Sequence, residues 1–201
     1  MTEGHIGRLV AASLHQAISE ALPQRLDFYE NWLHSEGLRD GSIGRAPMMA
    51  VLGFLRTEDD DGYDRVVARA GALAAEWALM TLPAYRRRMV TWMPGRFRIG
   101  AALRVAAAIA EIVDSGSRLR VRSRGVGAEV EVISSVFCSV RGVQPAPLCG
   151  FYRALAVTTL AHFGLPSTAQ VDRCRAMGAG SCLITVTLEM TRPIETTAAA
   201  A

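Results

Sequence analysis

The fold is decided by residues 148–186, LCGFYRALAVTTLAHFGLPSTAQVDRCRAMGAGSCLITV. We predict a helix over residues 148–162, because prolines precede it and Gly164 and a further proline follow it. Two strands, residues 168–175 and 181–190, then alternate apolar and polar side chains on either side of a glycine-containing turn. This part of the chain therefore predicts a helix followed by a β-hairpin.

A second hairpin precedes that helix. Apolar and polar residues alternate over residues 118–122 and again over residues 129–132. Alternation turns one set of side chains toward a core, namely Leu119, Val121, Val130 and Val132. It also lets two arginines of the first strand lie opposite two glutamates of the second, a pairing that favours this register: Arg120, Arg122, Glu129 and Glu131.

The chain before residue 115 has helical periodicity. We predict two helical pieces within residues 6–36, then helices over residues 47–55, 62–82 and 96–114. Residues 58–61 are acidic, which is typical of a solvated loop before a helix. The predicted fold is α+β, with N-terminal helices packed on a small antiparallel sheet. We divide it into N-terminal helices (1–40), a ligand-binding domain (41–190) and a flexible tail (191–201).

Composition excludes several classes of function. The 201 residues are 50% hydrophobic, and all 22 basic residues are arginine. Without lysine the chain has no Walker A loop and forms no Schiff base. A net charge of +3 with interspersed signs predicts no nucleic-acid partner. We find no secretory segment and no bilayer span, and we expect a cytoplasmic protein. The run Arg86-Arg87-Arg88 is either a solvated helix end or a contact for a small anion or headgroup.

Three cysteines are the strongest candidates for a site. Cys149 begins the predicted helix, whereas Cys174 and Cys182 flank the turn of the last hairpin. The three thiols suit a zinc ion, with Asp172 as a harder fourth ligand. The alternative is that they are small buried hydrophobic residues, because free cysteine is commonly buried.

Residues 148–186 resemble the C-terminal signature of the 4-vinyl-reductase-type domain. The resemblance rests on Cys149, Asp172, Cys174, a Met-Gly turn at 177–178 and Cys182. It implies a small-molecule-binding domain related in fold to haem nitric-oxide sensors and to Golgi transport-particle subunits. In the sensor members it implies a zinc held by three cysteines and a glutamate three residues before the second cysteine. That position here is Val171, so we assign the fourth ligand to Asp172.

A second resemblance concerns residues 137–141, FCSVR. The segment is similar to the Tyr-x-Ser-x-Arg propionate clamp of the haem nitric-oxide sensors, with Phe137 in place of tyrosine, so that Ser139 and Arg141 would hold a carboxylate. None of the four histidines lies where that family's haem ligand lies, just before the first hairpin: His5, His15, His34 and His162. We therefore do not expect haem held through histidine. Arg141 alternatively forms a salt bridge at a strand end.

Methionine and aromatic residues in the middle of the chain are either core or the lining of an apolar ligand pocket. For the pocket we predict Met48, Phe54, Trp77, Met80, Trp92, Phe137, Arg141, Phe151 and Tyr152.

The leading hypothesis is a binding protein for a hydrophobic small molecule, a tetrapyrrole or an aromatic or hydrocarbon-like compound. It would act as carrier, accessory factor or sensor, as a homodimer formed by the N-terminal helices. The chain has no GxGxxG motif that opens a helix after a strand, and no catalytic residue is assigned. Two alternatives stay open: a bacteriochlorophyll-type 4-vinyl reductase, and a ligand-free tethering module.

Overall fold

A computed structural model of the protein describes residues 6–33, 42–58, 62–124 and 127–189. The helices among these residues are α1 (Arg8–Ala21), α2 (Leu26–Leu33), α3 (Arg45–Leu55), α4 (Gly62–Met80), α5 (Ala84–Trp92), α6 (Gly95–Val113) and α7 (Gly150–His162). The strands are β1 (Ile6–Gly7), β2 (Ser42–Ile43), β3 (Leu119–Arg124), β4 (Gly127–Val132), β5 (Ser167–Arg173) and β6 (Cys182–Leu188). The α+β prediction is confirmed.

The main sheet is antiparallel in the order β3-β4-β6-β5. Arg120 is paired with Glu131 and Arg122 with Glu129, which is the predicted register. Val130 and Val132 are buried on the inner face, and they continue into the buried side chains of β6. The inner face rests on α6 and α7, whereas the charged cross-strand pairs lie on the outer face.

Strand β5 contains a one-residue bulge. Val171 is paired with Ile184 and Arg173 with Leu183, so Asp172 is the extra residue. A bulge reverses the inward and outward alternation of the residues that follow it. Cys174 therefore turns to the interior and is buried, whereas uninterrupted alternation places it on the same face as Asp172.

Helices α4 and α7 form the most extensive helix contact of the fold. The contact needs a glycine, because a Cβ on Gly71 would lie 2.2 Å from the carbonyl oxygen of Phe151. The two backbones can approach closely at this point, and α7 is thereby held against α4. The N-terminal end of α7, where the cysteines gather, takes its position from this contact.

Three predictions on elements are corrected. Residues 6–7 form a strand that pairs with β2, and not the start of a helix. Helix α5 lies between Pro83 and Pro94, where only a break is predicted, since Pro83 occupies its N-cap position and proline is well tolerated there. Between the two N-terminal helical pieces, Pro23–Arg25 form a 3₁₀ turn that the helical periodicity did not predict.

Other predictions concern residues outside the described ranges: the acidic loop at 59–61, the hairpin turn at 125–126, the tail from 191, and His5 and His34. Among the described helices, none combines the length and apolar character that crossing a bilayer requires.

Candidate functional site

Four buried cysteines meet at one end of the sheet. The sulfur atoms of Cys138, Cys149, Cys174 and Cys182 all lie within 4.8 Å of one another. Cys149 is the N-cap residue of α7, and Cys182 is the first residue of β6. Cys174 follows β5 and caps a 3₁₀ turn that ends at Gly178, whose φ of +91° suits glycine. Cys138 comes from the loop between β4 and α7 (residues 133–149, the β4–α7 loop).

A buried carboxylate holds the first part of the β4–α7 loop. Asp114 is fully buried at the C-cap of α6, and its Oδ2 accepts a hydrogen bond from the Val136 N–H at 3.1 Å. Ser135 Oγ accepts from the Phe137 N–H at 3.1 Å. These bonds set the backbone that leads to Cys138, which places its thiol beside those of the sheet.

Two arginines of the α3 segment bind the same loop. Arg45, in the first turn of α3, donates to Ser139 Oγ at 2.9 Å. Arg56, at the C-cap of α3, donates to the Phe137 carbonyl oxygen at 3.1 Å. Both contacts involve a neighbour of Cys138, so the helical layer is linked to the cysteine cluster.

The sulfur distances match a tetrahedral metal site. The Cys138 sulfur lies 3.6 Å from that of Cys174 and 3.5 Å from that of Cys182, and the last two are 3.8 Å apart. Zinc–sulfur bonds of about 2.3 Å in a tetrahedron separate the sulfurs by about 3.8 Å. A disulfide requires about 2.05 Å, and all four cysteines are free.

Backbone amides direct hydrogen bonds at the cluster. The Leu148 N–H donates to the Cys174 sulfur at 3.4 Å, and the Arg175 N–H donates to the Cys182 sulfur at 3.3 Å. Donors of this kind stabilise a thiolate and orient a metal ligand. The Leu148 and Arg175 amides therefore favour negative charge on the sulfur atoms of Cys174 and Cys182.

The four thiols share their protons unequally. Hydrogen bonds from the Cys138 and Cys149 thiols, supplemented by the Leu148 N–H, lower the pKa of Cys174. The pKa of Cys182 is lowered chiefly by the same two thiols. The pKa of Cys149 is raised, because its thiol supplies a proton to the neighbouring sulfurs. A metal ion binds cysteine as the thiolate, so uptake of an ion by this cluster would release protons.

Asp172, the predicted fourth ligand, lies outside the cluster. It is exposed at the β5 bulge, and its carboxylate accepts a hydrogen bond from the Thr185 hydroxyl. Val171 is paired with Ile184 and faces inward, but its side chain has no atom that can bind a metal ion. Cys138 completes the group instead. The sequence did single out the FCSVR segment that contains Cys138, because it resembles a ligand clamp. That resemblance, however, concerns Ser139 and Arg141 and not the cysteine.

The nine predicted pocket residues are divided between the core and the surface. Four are buried (Met48, Phe137, Phe151 and Tyr152), Trp77 is partly buried, and the others are exposed (Phe54, Met80, Trp92 and Arg141). The rings of Phe137 and Phe151 are stacked with centroids 4.6 Å apart, and the ring of Tyr152 meets that of Phe137 edge-on. These three aromatic residues fill the space beside the cysteines. Arg45, and not Arg141, contacts Ser139.

A small cleft borders the cluster. It holds about 190 Å³ and is lined by Arg56, Glu58, Tyr63, Asp64 and the loop residues 144–148. The Tyr63 hydroxyl donates to the Leu148 carbonyl oxygen at 3.1 Å, and burial raises its pKa. The guanidinium of Arg56 lies over the Tyr63 ring, 5.6 Å from the ring centroid. Its Nε is buried, and no described residue accepts its hydrogen. The cleft therefore combines an aromatic ring and a guanidinium group with the carboxyl groups of Glu58 and Asp64.

No protein-family profile matches the chain, and no curated protein matches it. Solved structures do. The phenol-responsive sensory domain of the transcription activator PoxR, solved with phenol, is 15% identical, with a TM-score of 0.50 over 73% of this chain and 75% of that one. An Fe(II) unliganded H-NOX mutant from K. algicida is 11% identical, with a TM-score of 0.62 over 92% and 97%. An Fe(II)NO H-NOX protein from S. oneidensis is 14% identical, with a TM-score of 0.54 over 92% and 100%. At these identities the likeness concerns the fold alone: the chain has the fold of the H-NOX and PoxR sensory domains.

Proposed function

We propose that this protein is a small-molecule-binding domain whose four cysteines hold a structural zinc ion beneath a cleft for a single aromatic ring. The observation that carries the proposal is the cluster of four buried thiols within 4.8 Å, directly beside that cleft. The resemblance of residues 148–186 to the 4-vinyl-reductase-type signature supports the same function.

The donor set suits zinc and a structural role. Four sulfur ligands complete a tetrahedral zinc ion and leave no open position for a substrate, as in structural sites generally. Iron also accepts four thiolates, so identification of the metal is part of the test. The chain's own contribution is to hold three separate segments, namely the β4–α7 loop, the start of α7 and the last hairpin, at one point.

The size of the cleft favours a small aromatic ligand over a tetrapyrrole. An engineered protein cavity of about 150 Å³ binds benzene, whereas pockets for drug-sized molecules hold about 300–1,000 Å³. The 190 Å³ here accommodates one ring. The Tyr63 ring and Leu148 supply apolar contact, the Arg56 guanidinium supplies a donor for a hydroxyl or carbonyl oxygen, and the carboxyl groups of Glu58 and Asp64 complete the polar part of the lining.

Two residues that line the cleft, Arg56 and Tyr63, also bind the backbone next to the clustered cysteines. Arg56 binds the carbonyl of Phe137, which precedes Cys138, and Tyr63 binds the carbonyl of Leu148, which precedes Cys149. A ligand that contacts Arg56 or Tyr63 therefore acts on the backbone of two metal ligands. This is the arrangement that a sensor needs, since occupancy of the cleft changes the restraint on the β4–α7 loop.

Two measurements test the proposal. Native mass spectrometry with elemental analysis should find one zinc ion per folded chain. Calorimetric titration with phenol as the probe should detect binding that weakens at least tenfold in Arg56→Met, which keeps the aliphatic stem and removes the donor. Arg65→Met, on the exposed side of α4, is the matched control and should bind phenol like the wild type.

The two parts of the proposal fail separately. A folded chain that contains no metal, both as purified and after incubation with zinc, contradicts the metal centre. Phenol binding that is absent, or that is equally strong in Arg56→Met, contradicts the cleft as the ligand site.

A further inference from the structure

Helix α5 presents an apolar stripe to solvent. Tyr85, Met89 and Trp92 follow the i, i+4, i+7 spacing of one helix face, and they are 60%, 60% and 83% exposed. Met80 at the end of α4 and Phe97 at the start of α6 are also largely exposed, at 67% and 55%. Val90 is the buried residue of α5, which makes its main contact with α6. Large exposed apolar groups gathered in this way mark an interaction surface.

The segment that carries this stripe is basic. Between Glu76 and Glu111 the chain carries six arginines and no Asp or Glu. Arg86, Arg87 and Arg88 are all exposed, and none of the ion pairs found between described residues includes them. Arg86 donates to the Tyr85 hydroxyl at 3.3 Å, so charge and aromatic ring lie side by side.

We propose that this face, formed by α5 and the adjoining ends of α4 and α6, docks on the surface of an anionic phospholipid membrane. Exposed aromatic and methionine side chains among arginines suit the interface between headgroups and acyl chains, where apolar groups are buried and cations meet anionic headgroups. Tyrosine and tryptophan are preferred at that depth. The proposal is independent of the metal centre and of the cleft.

Charge and shape distinguish this partner from others. A symmetric dimer through the same face would bring Arg86, Arg87 and Arg88 against their own copies, which is unfavourable. A nucleic acid would accept the arginines but would give Met80 and Met89 no apolar phase in which to be buried. An anionic bilayer accommodates both kinds of side chain within one flat surface.

Vesicle flotation tests the proposal. We expect the protein to float with vesicles of phosphatidylcholine and phosphatidylglycerol and to bind pure phosphatidylcholine vesicles at least tenfold more weakly. Attraction falls about fivefold for each arginine removed near an anionic surface. Arg86 and Arg88 flank the apolar stripe, so the triple variant Arg86→Gln, Arg87→Gln, Arg88→Gln should bind at least about 25-fold more weakly. Trp92→Glu should weaken binding tenfold or more, because it removes the most exposed apolar group.

Two controls match these changes elsewhere on the molecule. The triple variant Arg120→Gln, Arg122→Gln, Arg173→Gln alters the net charge equally, but on the outer face of the sheet. Ile112→Glu replaces an apolar residue of similar exposure, 65%, at the opposite end of α6. Both should float as the wild type does.

Three outcomes overturn the inference. They are failure of the wild type to float with anionic vesicles, equal loss of binding in the control variants, and full binding by Trp92→Glu. A change of oligomeric state in Trp92→Glu, without vesicle binding by the wild type, would assign the face to a protein partner instead.

Discussion

Replacement of Cys138 by serine should weaken zinc binding by about a hundredfold to a thousandfold. The Cys138 sulfur lies 3.5–3.6 Å from those of Cys174 and Cys182, so in the proposed zinc site it would occupy one corner of the tetrahedron on equal terms with them. Structural zinc sites bind with roughly 10–16 kcal/mol in all, and one thiolate of four contributes about a quarter, or roughly 2.5–4 kcal/mol. A serine hydroxyl does not replace a thiolate, because it stays protonated and is a poor ligand for zinc.

The assay is competition for zinc with a chromophoric chelator at fixed pH. Asp172→Asn is the control, since its carboxylate is exposed and bonded to Thr185, and its zinc affinity should stay within twofold of the wild type. Thermal unfolding with excess chelator separates loss of metal from loss of fold, and in that condition Cys138→Ser and the wild type should unfold alike. The reasoning is refuted if Cys138→Ser binds zinc with wild-type affinity, or if Asp172→Asn is the variant that loses it.

Three further predictions concern stability. Gly71→Ala should lower the free energy of unfolding by about 1–3 kcal/mol in urea titration, because its Cβ would lie 2.2 Å from a carbonyl oxygen of α7; an unchanged midpoint would contradict the close contact. Asp114→Ala leaves the buried Val136 N–H without an acceptor and should cost about 3 kcal/mol in the same assay; a loss below about 0.5 kcal/mol would show that the carboxylate does not hold the loop. The Arg69 guanidinium lowers the pKa of Glu20 from 4.5, so the stability from this pair is complete above pH 4.5 and is lost as the pH falls through the lower folded value. Glu20→Gln should therefore differ from the wild type at about pH 7 but not at about pH 2 in unfolding experiments, and equal differences at both would rule out the ion pair as the cause.

The sheet was the most predictable part of the molecule. Period-2 alternation depends on the backbone alone, and the opposed charges of residues 120–122 and 129–131 favour one register, which the structure has. Inward placement of Cys182 beside Ile184 follows from the same rule. These inferences hold because each rests on a local pattern that tertiary packing reinforces.

The position of Cys174 could not be derived in that way. Strict alternation puts it on one face with Asp172, and only the bulge in β5 separates them. Whether a bulge forms depends on how the partner strand and the turn meet. The alternation of apolar and polar residues in one sequence does not reveal it. Cys138 was missed for a related reason, since the β4–α7 loop is placed by Asp114, Arg45 and Arg56, all distant in sequence.

Composition did not show where the predicted pocket residues lie in the fold. Methionine and aromatic residues are common both in cores and on binding surfaces, and a sequence does not separate the two. Phe137 and Phe151 are buried and stack on each other, whereas Met80 and Trp92 are exposed at the surface. Helix α5, which carries Trp92, was not predicted because Pro83 and Pro94 indicated a break in the chain. Pro83 is instead the N-cap residue of α5, and Pro94 lies beyond its end.

The bulge in β5 matters when the sequences of related chains are compared. A register in which Asp172, and not Arg173, pairs with Leu183 would remove the bulge and turn Cys174 outward while leaving every cysteine in place. The presence of four cysteines in a related sequence therefore does not by itself show that their sulfur atoms meet.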